Sequence, residues 1–373
     1  MRRVLGEGAS TRDRVGIGLI GYGWIARAHA HAALTVDHLA PLERRVELVA
    51  VAGRTPERVA AFAAELGFSR WSTSWREVVE SDDVDVVIVA TPVEAHAEAV
   101  EAALAAGKPV LCEKPLAADV EESRHLWLLA EQAGVTNAVG FNYRYFPAVG
   151  LMKELVDSGR LGAIRHYRAL YLQDFAVLDT LTRPSHGGAG AVLEYVHLVD
   201  MLRYLVDEPE GVSAQTSAFV SSVDDQFAAV LELPGNATAT LEASRCALGW
   251  KGRHRVELNG SDGSVWWDME DPNRLHVFFL DDEREGVGGF RDVLVTNPDH
   301  PQMTGWWPPG HVVGWDSTVV NQWRDFLAAV LDEREVDLRQ AGFADGYRAA
   351  VVCEAILTSA REGRRVASEP VEA

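Results

Sequence analysis

A lysine in the first half of the chain stands where an ionisable side chain could do chemistry. Lys114 follows the short apolar stretch Val110–Cys112, within the sequence Glu113-Lys114-Pro115. If that stretch is a strand of a parallel sheet, its carboxyl end faces the crevice in which such sheets bind ligands, and the proline fixes the turn. Burial and neighbouring charge can bring the pKa of a lysine towards the working range for proton transfer. Lys114 is therefore a candidate catalytic and substrate-binding residue.

A second group of ionisable side chains recurs at intervals of three residues further along the chain. Glu194, His197 and Asp200 fall in a predicted helix over 193–205, where this spacing puts them on one face. Imidazole exchanges protons near neutral pH, and a carboxylate beside it can orient the ring and stabilise its protonated form. The pattern predicts His197 as a general acid or base, with Glu194 and Asp200 as its partners, and His197 and Glu194 also as substrate ligands. The alternative for Glu194 and Asp200 is a structural role on the helix face.

A glycine-rich turn near the start of the chain is typical of a dinucleotide phosphate site. It has the pattern G-x-G-x-x-A and stands between a predicted strand and a predicted helix. The first glycine permits the sharp turn, the second lets a pyrophosphate approach the backbone, and the alanine keeps the helix close to the strand. The helix start adds backbone amides and the positive end of the helix dipole. The alternative is a tight turn that binds no ligand. The predicted cofactor contacts here are Gly21, Gly23, Trp24, Ile25 and Ala26.

The end of the second predicted strand indicates which dinucleotide is bound. An acidic side chain there would bind the ribose hydroxyls of NAD, but this chain has Gly53-Arg54-Thr55. Arg54 could instead hold the 2′-phosphate of NADP, and no carboxylate in the tripeptide would repel that phosphate. We therefore expect NAD(P) as cofactor, with a preference for NADP. The alternative for Arg54 is a solvated loop cation.

Predicted strands and helices alternate over residues 15–141, which is typical of a parallel sheet with helices on both faces. Residues 35–45 are predicted as a loop, with an extra helical turn as the alternative, and Thr55 as the cap of the helix that begins at Pro56. The predicted strands are 15–20, 46–52, 84–90, 110–112 and 137–141, and the predicted helices are 24–34, 56–66, 96–106 and 120–133.

The pattern changes after residue 141, where several short extended segments follow one another, many separated by turn residues. They predict an antiparallel or mixed sheet with helices on one face. We expect a flexible segment 1–14, a dinucleotide-binding domain 15–141 and a substrate-binding domain 142–373. In the second domain the predicted helices are 147–158, 193–205, 318–331 and 343–361, and the predicted strands are 212–220, 227–233, 238–244, 255–258, 264–268 and 275–280.

Composition excludes several classes of function. The chain has 373 residues, enough for two domains, and a formal net charge of −20, which opposes binding to nucleic acid or to an anionic membrane. The sequence has no apolar stretch of about 18 residues, so it predicts no membrane span, and no signal peptide is evident. Cys112, Cys246 and Cys353 form no C-x-x-C pair, and His29 and His31 would lie on different helix faces. We expect no metal, reduced thiols and a cytoplasmic protein.

Aromatic residues mark two further stretches of the second domain. Tyr167, Tyr171 and Gln173 alternate along one predicted strand and so share a face, which could meet substrate or a subunit partner. Of these, Tyr171 is the predicted substrate ligand. The loop Trp306–His311, with Trp315 nearby, could line a carbohydrate pocket, or it could pack on the core or at a subunit interface.

Taken in chain order, the motifs resemble those of one protein family, the glucose–fructose oxidoreductase / inositol dehydrogenase family (Gfo/Idh/MocA). The likeness covers residues 15–205 by motif and the remainder by general architecture. The motifs that carry it are the glycine turn, Thr91-Pro92 with His96, Glu113-Lys114-Pro115, Gly140-Phe141-Asn142-Tyr143-Arg144, and Gly187-Gly188 ahead of Glu194, His197 and Asp200.

The resemblance implies an NAD(P)-dependent oxidoreductase that transfers a hydride between nicotinamide and a secondary alcohol or ketone of a sugar-like substrate. It implies a Rossmann domain followed by an α/β domain with a large open, mostly antiparallel sheet, through which a homodimer or homotetramer would form. It makes Lys114 and His197 the catalytic pair. The residues that it places along the cofactor crevice are Thr91, Pro92, His96, Glu113 and Lys114, and those near the nicotinamide or substrate are Asn142 and Arg144.

Two features depart from the family pattern. An aspartate usually stands four residues before the histidine, but that position is Leu193 here, and the nearest acid is Glu194, three before. A variant with an acid three residues ahead also occurs in the family. The segment 175–186 is shorter than usual. Two alternative functions stay open, a glycosidase of this fold that borrows NAD transiently and a dinucleotide-binding regulator without turnover.

Overall fold

Two sheets with their covering helices make up the described part of the chain. The structure is a computed structural model, and it describes residues 14–39, 42, 44–182, 189–331 and 340–368. Of the sequence predictions, the segment 1–13 and the pair Gly187-Gly188 lie outside these described residues.

The first sheet has six parallel strands in the order β3-β2-β1-β4-β5-β6. The chain starts at the centre and winds outwards in both directions, with a helix in most crossovers, which is the doubly wound Rossmann arrangement. The predicted parallel sheet is therefore confirmed. Its strands are β1 (Arg14–Ile20), β2 (Arg45–Ala52), β3 (Arg70–Ser72), β4 (Val86–Val89), β5 (Val110–Cys112) and β6 (Asn137–Val139). Its helices are α1 (Trp24–Leu39), α2 (Pro56–Leu66), α3 (Trp75–Val79), α4 (His96–Ala105) and α5 (Val120–Ala133).

The second sheet has nine strands in the order β14-β13-β12-β11-β7-β10-β9-β8-β15, antiparallel except for the pair β7 and β10. Along its central strands buried and more exposed residues alternate, so one face carries the core. Its strands are β7 (Ile164–Leu172), β8 (Gly211–Ser217), β9 (Gln226–Leu233), β10 (Ala237–Ser244), β11 (Arg253–Gly260), β12 (Gly263–Asp268), β13 (Arg274–Phe279), β14 (Arg291–Leu294) and β15 (Val366–Ala367). The remaining helices are α6 (Pro147–Asp157), α7 (Phe175–Thr182), α8 (Gly190–Glu194), α9 (Val196–Leu205), α10 (Leu280–Arg284), α11 (Asp316–Val330) and α12 (Phe343–Glu362).

Helix α11 comes from the second half of the chain but packs on α1 of the first. Val319, Trp323 and Phe326 are buried in one apolar cluster with Ala33 and Val36 of α1. This contact explains why α1 runs on to Leu39 where the sequence predicted a loop from residue 35, because the extra turn buries Val36. The contact also brings side chains of α11 close to the edge of the first sheet that binds ligands.

Several short elements were missing from the sequence prediction. Strand β3 and helix α3 lie between α2 and β4, and α7, α10, β14 and β15 belong to the second half. One predicted detail was wrong, because the hydroxyl of Thr55 does not cap α2. It accepts a hydrogen bond from the hydroxyl of Tyr22 instead, at 3.1 Å.

Candidate active site

A cleft runs from the carboxyl ends of the first sheet to the covered face of the second. It consists of two adjoining cavities of about 770 Å³ and about 480 Å³, which meet at Trp24, Ile25 and Thr91. The larger cavity contains the glycine turn and Arg54, and the smaller contains Lys114 and the neighbouring polar and aromatic side chains. The two cavities together contain most of the residues that the sequence predicted for the site, but not Arg144 or Asp200.

The larger cavity has the shape that a dinucleotide pyrophosphate needs. Gly21 has a φ of +117°, and a Cβ there would come within 2.2 Å of the carbonyl oxygen of Ala90. At Gly23 a Cβ would meet nothing within 4 Å, so the backbone faces open space at the start of α1. The Oγ1 atom of Thr91, at the junction of the cavities, is buried with no hydrogen-bond partner among the described residues. A phosphate or amide group of a bound dinucleotide fits these features.

One arginine lines this cavity, and a second packs on a residue of its wall. Arg54 lines it, and the guanidinium of Arg58 lies 5.5 Å from the ring centroid of Tyr22, whose ring occupies the space that a Cβ at position 53 would need. Tyr22 and Arg58 were not among the residues predicted from the sequence. Tyr22 lies inside the glycine turn, which is the signal that could have found it.

His96 does not line either cavity but contacts the backbone beside them. Its ring is 1% exposed, with Nε2 2.9 Å from the carbonyl oxygen of Thr91 and Nδ1 3.0 Å from that of Pro115. The ring therefore ties the end of β4 to the turn that carries Lys114. Pro92 lies on the cavity wall as the resemblance implied.

Lys114 enters the smaller cavity and meets Glu194. Its Nζ atom donates to the backbone oxygen of Glu194 at 3.0 Å and to the carboxylate at 3.3 Å. Burial lowers the pKa of Lys114, but the charges of Glu194 and Glu113 outweigh it and raise the pKa above its usual range. In turn, Lys114 holds the pKa of the half-exposed Glu194 below its usual range. The lysine is therefore a charged donor at neutral pH.

His197 lies in the same cavity on the ring of Tyr143. The two rings are stacked with their centroids 4.1 Å apart, and Phe141 meets the imidazole edge-on. Burial, followed by the charge of Lys114 and the neighbouring His254, holds the pKa of His197 well below its usual value of 6.5. The imidazole is therefore neutral at neutral pH and can accept a proton.

Two tyrosine hydroxyls form the polar back wall of the smaller cavity. The hydroxyls of Tyr143 and Tyr171 are 2.6 Å apart. Tyr171 is therefore at the cavity, as predicted, and it shares that wall with Gln173 and Tyr195. Asn142 lines the same cavity and donates to the hydroxyl of Thr318 on α11 at 2.6 Å.

The helix predicted over 193–205 is interrupted at Tyr195, which ends α8 and precedes α9. Glu194 and His197 therefore do not share one helix face, and the geometric argument that grouped them with Asp200 was wrong. Glu194 reaches the cavity from the end of α8, whereas His197 reaches it from the first turn of α9.

Arg144 and Asp200 bind each other away from the cleft. The Asp200 carboxylate accepts from Nε of Arg144 at 2.9 Å and from Nη2 at 2.5 Å, and the guanidinium also contacts Asp345 at 3.2 Å. Arg144 is 3% exposed and Asp200 1% exposed. This placement replaces the predicted substrate contact of Arg144 and the predicted catalytic role of Asp200, because both groups are fully paired inside the protein.

Known proteins are similar to this chain over most of its length. A model of the oxidoreductase family with an NAD-binding Rossmann fold matches residues 15–141, and a model of the GFO/IDH/MocA C-terminal domain matches residues 149–266. A levoglucosan dehydrogenase of Pseudarthrobacter phenanthrenivorans is 33% identical over 93% of this chain and 96% of its own length. The chain belongs to the Gfo/Idh/MocA oxidoreductase family.

Solved structures agree with this assignment. An oxidoreductase domain protein from Kribbella flavida is 36% identical with a TM-score of 0.89, and a levoglucosan dehydrogenase in complex with NADH is 31% identical with a TM-score of 0.90. Each match covers 96% of this chain and 100% of the other. As a Gfo/Idh/MocA member, the protein is an NAD(P)-dependent oxidoreductase of a family that acts on sugars and polyols. None of the described helices has the length and apolar character that a membrane crossing requires.

The tryptophan-rich loop of this Gfo/Idh/MocA protein contributes to the cleft through one residue. Trp306 donates to Asn321 of α11 at 2.9 Å, and Trp307 is largely exposed, and neither lines either cavity. Trp315 does line the smaller cavity and lies 5.6 Å from Trp24 of the glycine turn. The two rings form an aromatic contact between the halves of the molecule at the mouth of the cleft.

Substitution of Asp200 by asparagine should lower the free energy of unfolding by about 3 kcal/mol, because it leaves the buried charge of Arg144 without its main partner. Chemical denaturation measures this loss. A matched change at an exposed ion pair, Glu232→Ala opposite Arg365, should leave the unfolding free energy nearly unchanged. If Asp200→Asn is as stable as the wild type but catalytically dead, Asp200 acts in the reaction and not in the fold.

Proposed function

We propose that this protein transfers a hydride between NADP and a secondary alcohol or ketone of a sugar, inositol or related polyol. One observation carries the proposal. Lys114, a charged donor, and His197, a neutral acceptor, line a single cavity that opens directly into the cavity of the glycine turn. When bound there, nicotinamide supplies the hydride acceptor or donor. The side chains of the chain then have to bind the substrate oxygen and move one proton.

His197 removes the proton from the substrate hydroxyl in the direction of oxidation. Its Nδ1 atom is enclosed without a partner among the described residues, so Nε2 is the nitrogen that faces the substrate. Because the ring is neutral at neutral pH, it accepts the proton without first losing one. In the direction of reduction the same nitrogen returns the proton to the new alkoxide.

Lys114 stabilises the negative charge that develops on the substrate oxygen. An ammonium has three N–H groups, of which two point to the backbone oxygen and the carboxylate of Glu194. The third is left for the substrate oxygen. Glu194 thereby takes the place of the aspartate usual in the family, because it keeps the ammonium charged and oriented. Tyr171 and Gln173 supply hydrogen-bond partners for further hydroxyls of a polyol.

The choice of NADP rests on the charge at the far end of the larger cavity. Arg54 lines that cavity, and Arg58 packs on the ring of Tyr22, which also lines it, so we infer that both guanidinium groups can reach a 2′-phosphate. The tripeptide after β2 has no acid that would bind the ribose hydroxyls of NAD. Arg54 and Arg58 are therefore the residues that favour the phosphorylated cofactor.

Substitution of Arg54 by alanine should raise the KM for NADP by about 30-fold and leave the KM for NAD nearly unchanged, because a hydrogen bond to a charged group contributes about 2 kcal/mol. Steady-state kinetics with each cofactor measures both values. Arg361→Ala, at an exposed arginine of α12, is the matched control and should change neither. An equal change with both cofactors would show that Arg54 does not contact the 2′-phosphate.

The proposed reaction is tested by a panel of neutral polyols, assayed with each cofactor for the absorbance of reduced nicotinamide. Levoglucosan and the inositols come first, because relatives are named for them. The expected result is reduced cofactor that accumulates in step with a ketone product. Cleavage of a glycoside without net reduction of the cofactor would favour the glycosidase, and cofactor binding without turnover of any compound would favour the regulator.

We also propose a homodimer or homotetramer that joins through the open face of the second sheet. The core covers one face of this sheet, and the other carries Val230, which is half-exposed, and a stacked pair of Trp266 and His276 with Arg255 over it. Apolar and aromatic side chains of this kind are enriched in subunit interfaces. Light scattering of the intact protein measures the assembly, and a monomer would contradict the proposal.

A further inference from the structure

A series of hydrogen bonds leads from α11 to the peptide of Lys114. Nε1 of Trp323 donates to Nδ1 of His29 at 2.9 Å, and Nε2 of His29 lies 2.9 Å from Oε1 of Glu113. The other carboxylate oxygen, Oε2, accepts from the backbone N–H of Lys114 at 3.1 Å. Three elements that are distant in sequence thus meet at the residue before the lysine.

Trp323 determines which atom donates and which accepts in each of these hydrogen bonds. An indole N–H can only donate, so Nδ1 of His29 must accept, and in a neutral ring the proton then sits on Nε2. That nitrogen points to Glu113 and therefore donates to its carboxylate. Trp323 and His29 are almost completely buried and Glu113 is 7% exposed, so water does not readily compete for these bonds. Trp323 thus selects the one neutral tautomer of His29 that binds Glu113.

The carboxylate of Glu113 is also confined by its packing. A Cβ at Gly140 would come within 2.6 Å of Oε1, so only a glycine leaves room for the carboxylate in this position. Glu113 lines the smaller cavity together with Lys114. Burial lowers the pKa of Lys114, and Glu113 is one of the two carboxylates that raise it against that effect. The position of Glu113 therefore bears on both the backbone and the charge of the lysine.

We propose that Trp323 and His29 are positioning residues, which hold the carboxylate of Glu113 beside Lys114 and so fix the peptide from which the lysine reaches the substrate. The inference rests on the proposed function, in which the ammonium of Lys114 binds the substrate oxygen. It assigns to the contact between α11 and α1 a part in the reaction as well as in the fold. A misplaced lysine would lower kcat, because proton transfer and charge stabilisation depend on the geometry of the donor.

The test follows the Lys114 amide itself and needs no substrate. The chain has only four lysines, so nitrogen-15 labelling of lysine gives four backbone signals, and Lys114→Arg identifies one of them; the lysines are Lys108, Lys114, Lys153 and Lys251. In the wild type the Lys114 amide should exchange slowly with solvent, because it donates to a buried carboxylate. Trp323→Phe removes the indole N–H and keeps an aromatic ring, and it should speed this exchange by about tenfold or more.

Two comparisons separate positioning from a general loss of stability. The other three lysine amides should change by less than about twofold in Trp323→Phe. In a Glu113→Gln background, the added Trp323→Phe change should have no further effect on the Lys114 amide, since it acts through that carboxylate. Trp127→Phe is the matched control, because Trp127 is a buried tryptophan of α5 that packs on Tyr347. If Trp323→Phe fails to fold, His29→Leu removes both hydrogen bonds and tests the same prediction.

The outcomes for the inference and for the proposed function are distinct. Unchanged exchange of the Lys114 amide in Trp323→Phe, or an equal acceleration of all four amides, would overturn the positioning role even if the wild type oxidises polyols. If the wild type oxidises no polyol, the proposed function is wrong. The exchange measurement would still test whether Trp323 and His29 position the carboxylate of Glu113. In an active enzyme, kcat of Trp323→Phe should fall by about tenfold with little change in the KM for cofactor.

Discussion

Replacement of Lys114 by methionine should lower kcat/KM for polyol oxidation by about a thousandfold or more. Methionine keeps an unbranched side chain of similar reach but removes the charge that stabilises the substrate oxygen, and the loss of such a donor typically costs two to four powers of ten. The residual carboxylate of Glu194 would then face the substrate without its partner. Steady-state kinetics with the polyol identified by the panel measures the effect.

The control for this change is Lys153→Met, which removes the ammonium of a partly exposed lysine paired with Asp157 on α6. It should leave kcat/KM within about twofold of the wild type, as expected for a surface ion pair. Cofactor binding, followed by protein fluorescence, should persist in Lys114→Met. A variant that keeps most of its activity, or one that loses cofactor binding alone, would show that the lysine does not act at the substrate oxygen.

The Rossmann half could be predicted well because its signals are local. The start of α2 at Pro56 and the end of α5 before Gly134, which has a φ of +62°, are fixed by residues that only fit those positions. Strand β3 was missed because Arg70–Ser72 is short, polar and at the edge of the sheet, and so has no apolar periodicity. The last turn of α1 was only an alternative in the sequence prediction, because Val36 is buried by α11, a contact that no local pattern contains.

The sequence predicted residues of the candidate site, but not which side chains pair with one another. Lys114, Glu194, His197 and Tyr171 line one cavity, although Glu194 and His197 reach it from two helices and not from one helix face as predicted. Arg144 and Asp200 looked equally available in the sequence, because charge and spacing do not reveal which partner a side chain finds in the fold.

Contacts between distant segments account for the rest of what was missed at the site. Trp315 meets Trp24, and Trp323 meets His29, across almost three hundred positions of sequence. His29 was excluded as a metal ligand on its spacing from His31, and its observed partners, Glu113 and Trp323, give it a different use. These pairings depend on how α11 docks on α1, which is a property of the whole fold and not of any motif.

Replacement of His197 by asparagine should lower kcat by about a hundredfold to a thousandfold, since general base catalysis contributes two to four powers of ten. Asparagine retains a polar side chain of similar size but accepts no proton at neutral pH. The matched control is His125→Asn on α5, where the exposed imidazole lies 3.2 Å from Glu101 and outside both cavities. This control should leave kcat unchanged.

The pH dependence of kcat/KM in the wild type also tests whether His197 is the proton acceptor. Burial, the charge of Lys114 and His254 hold the pKa of His197 well below 6.5, so the neutral, active form persists as the pH falls through that value. We therefore expect kcat/KM to stay level from neutral pH to below 6.5 and to decline only in more acidic solution. Because Lys114 is one cause of the lowered pKa, the residual activity of Lys114→Met should begin to decline at a higher pH than that of the wild type. Two results would contradict this role of His197. One is a decline of kcat/KM that begins at or above pH 6.5 in the wild type, and the other is a decline that begins at the same pH in Lys114→Met.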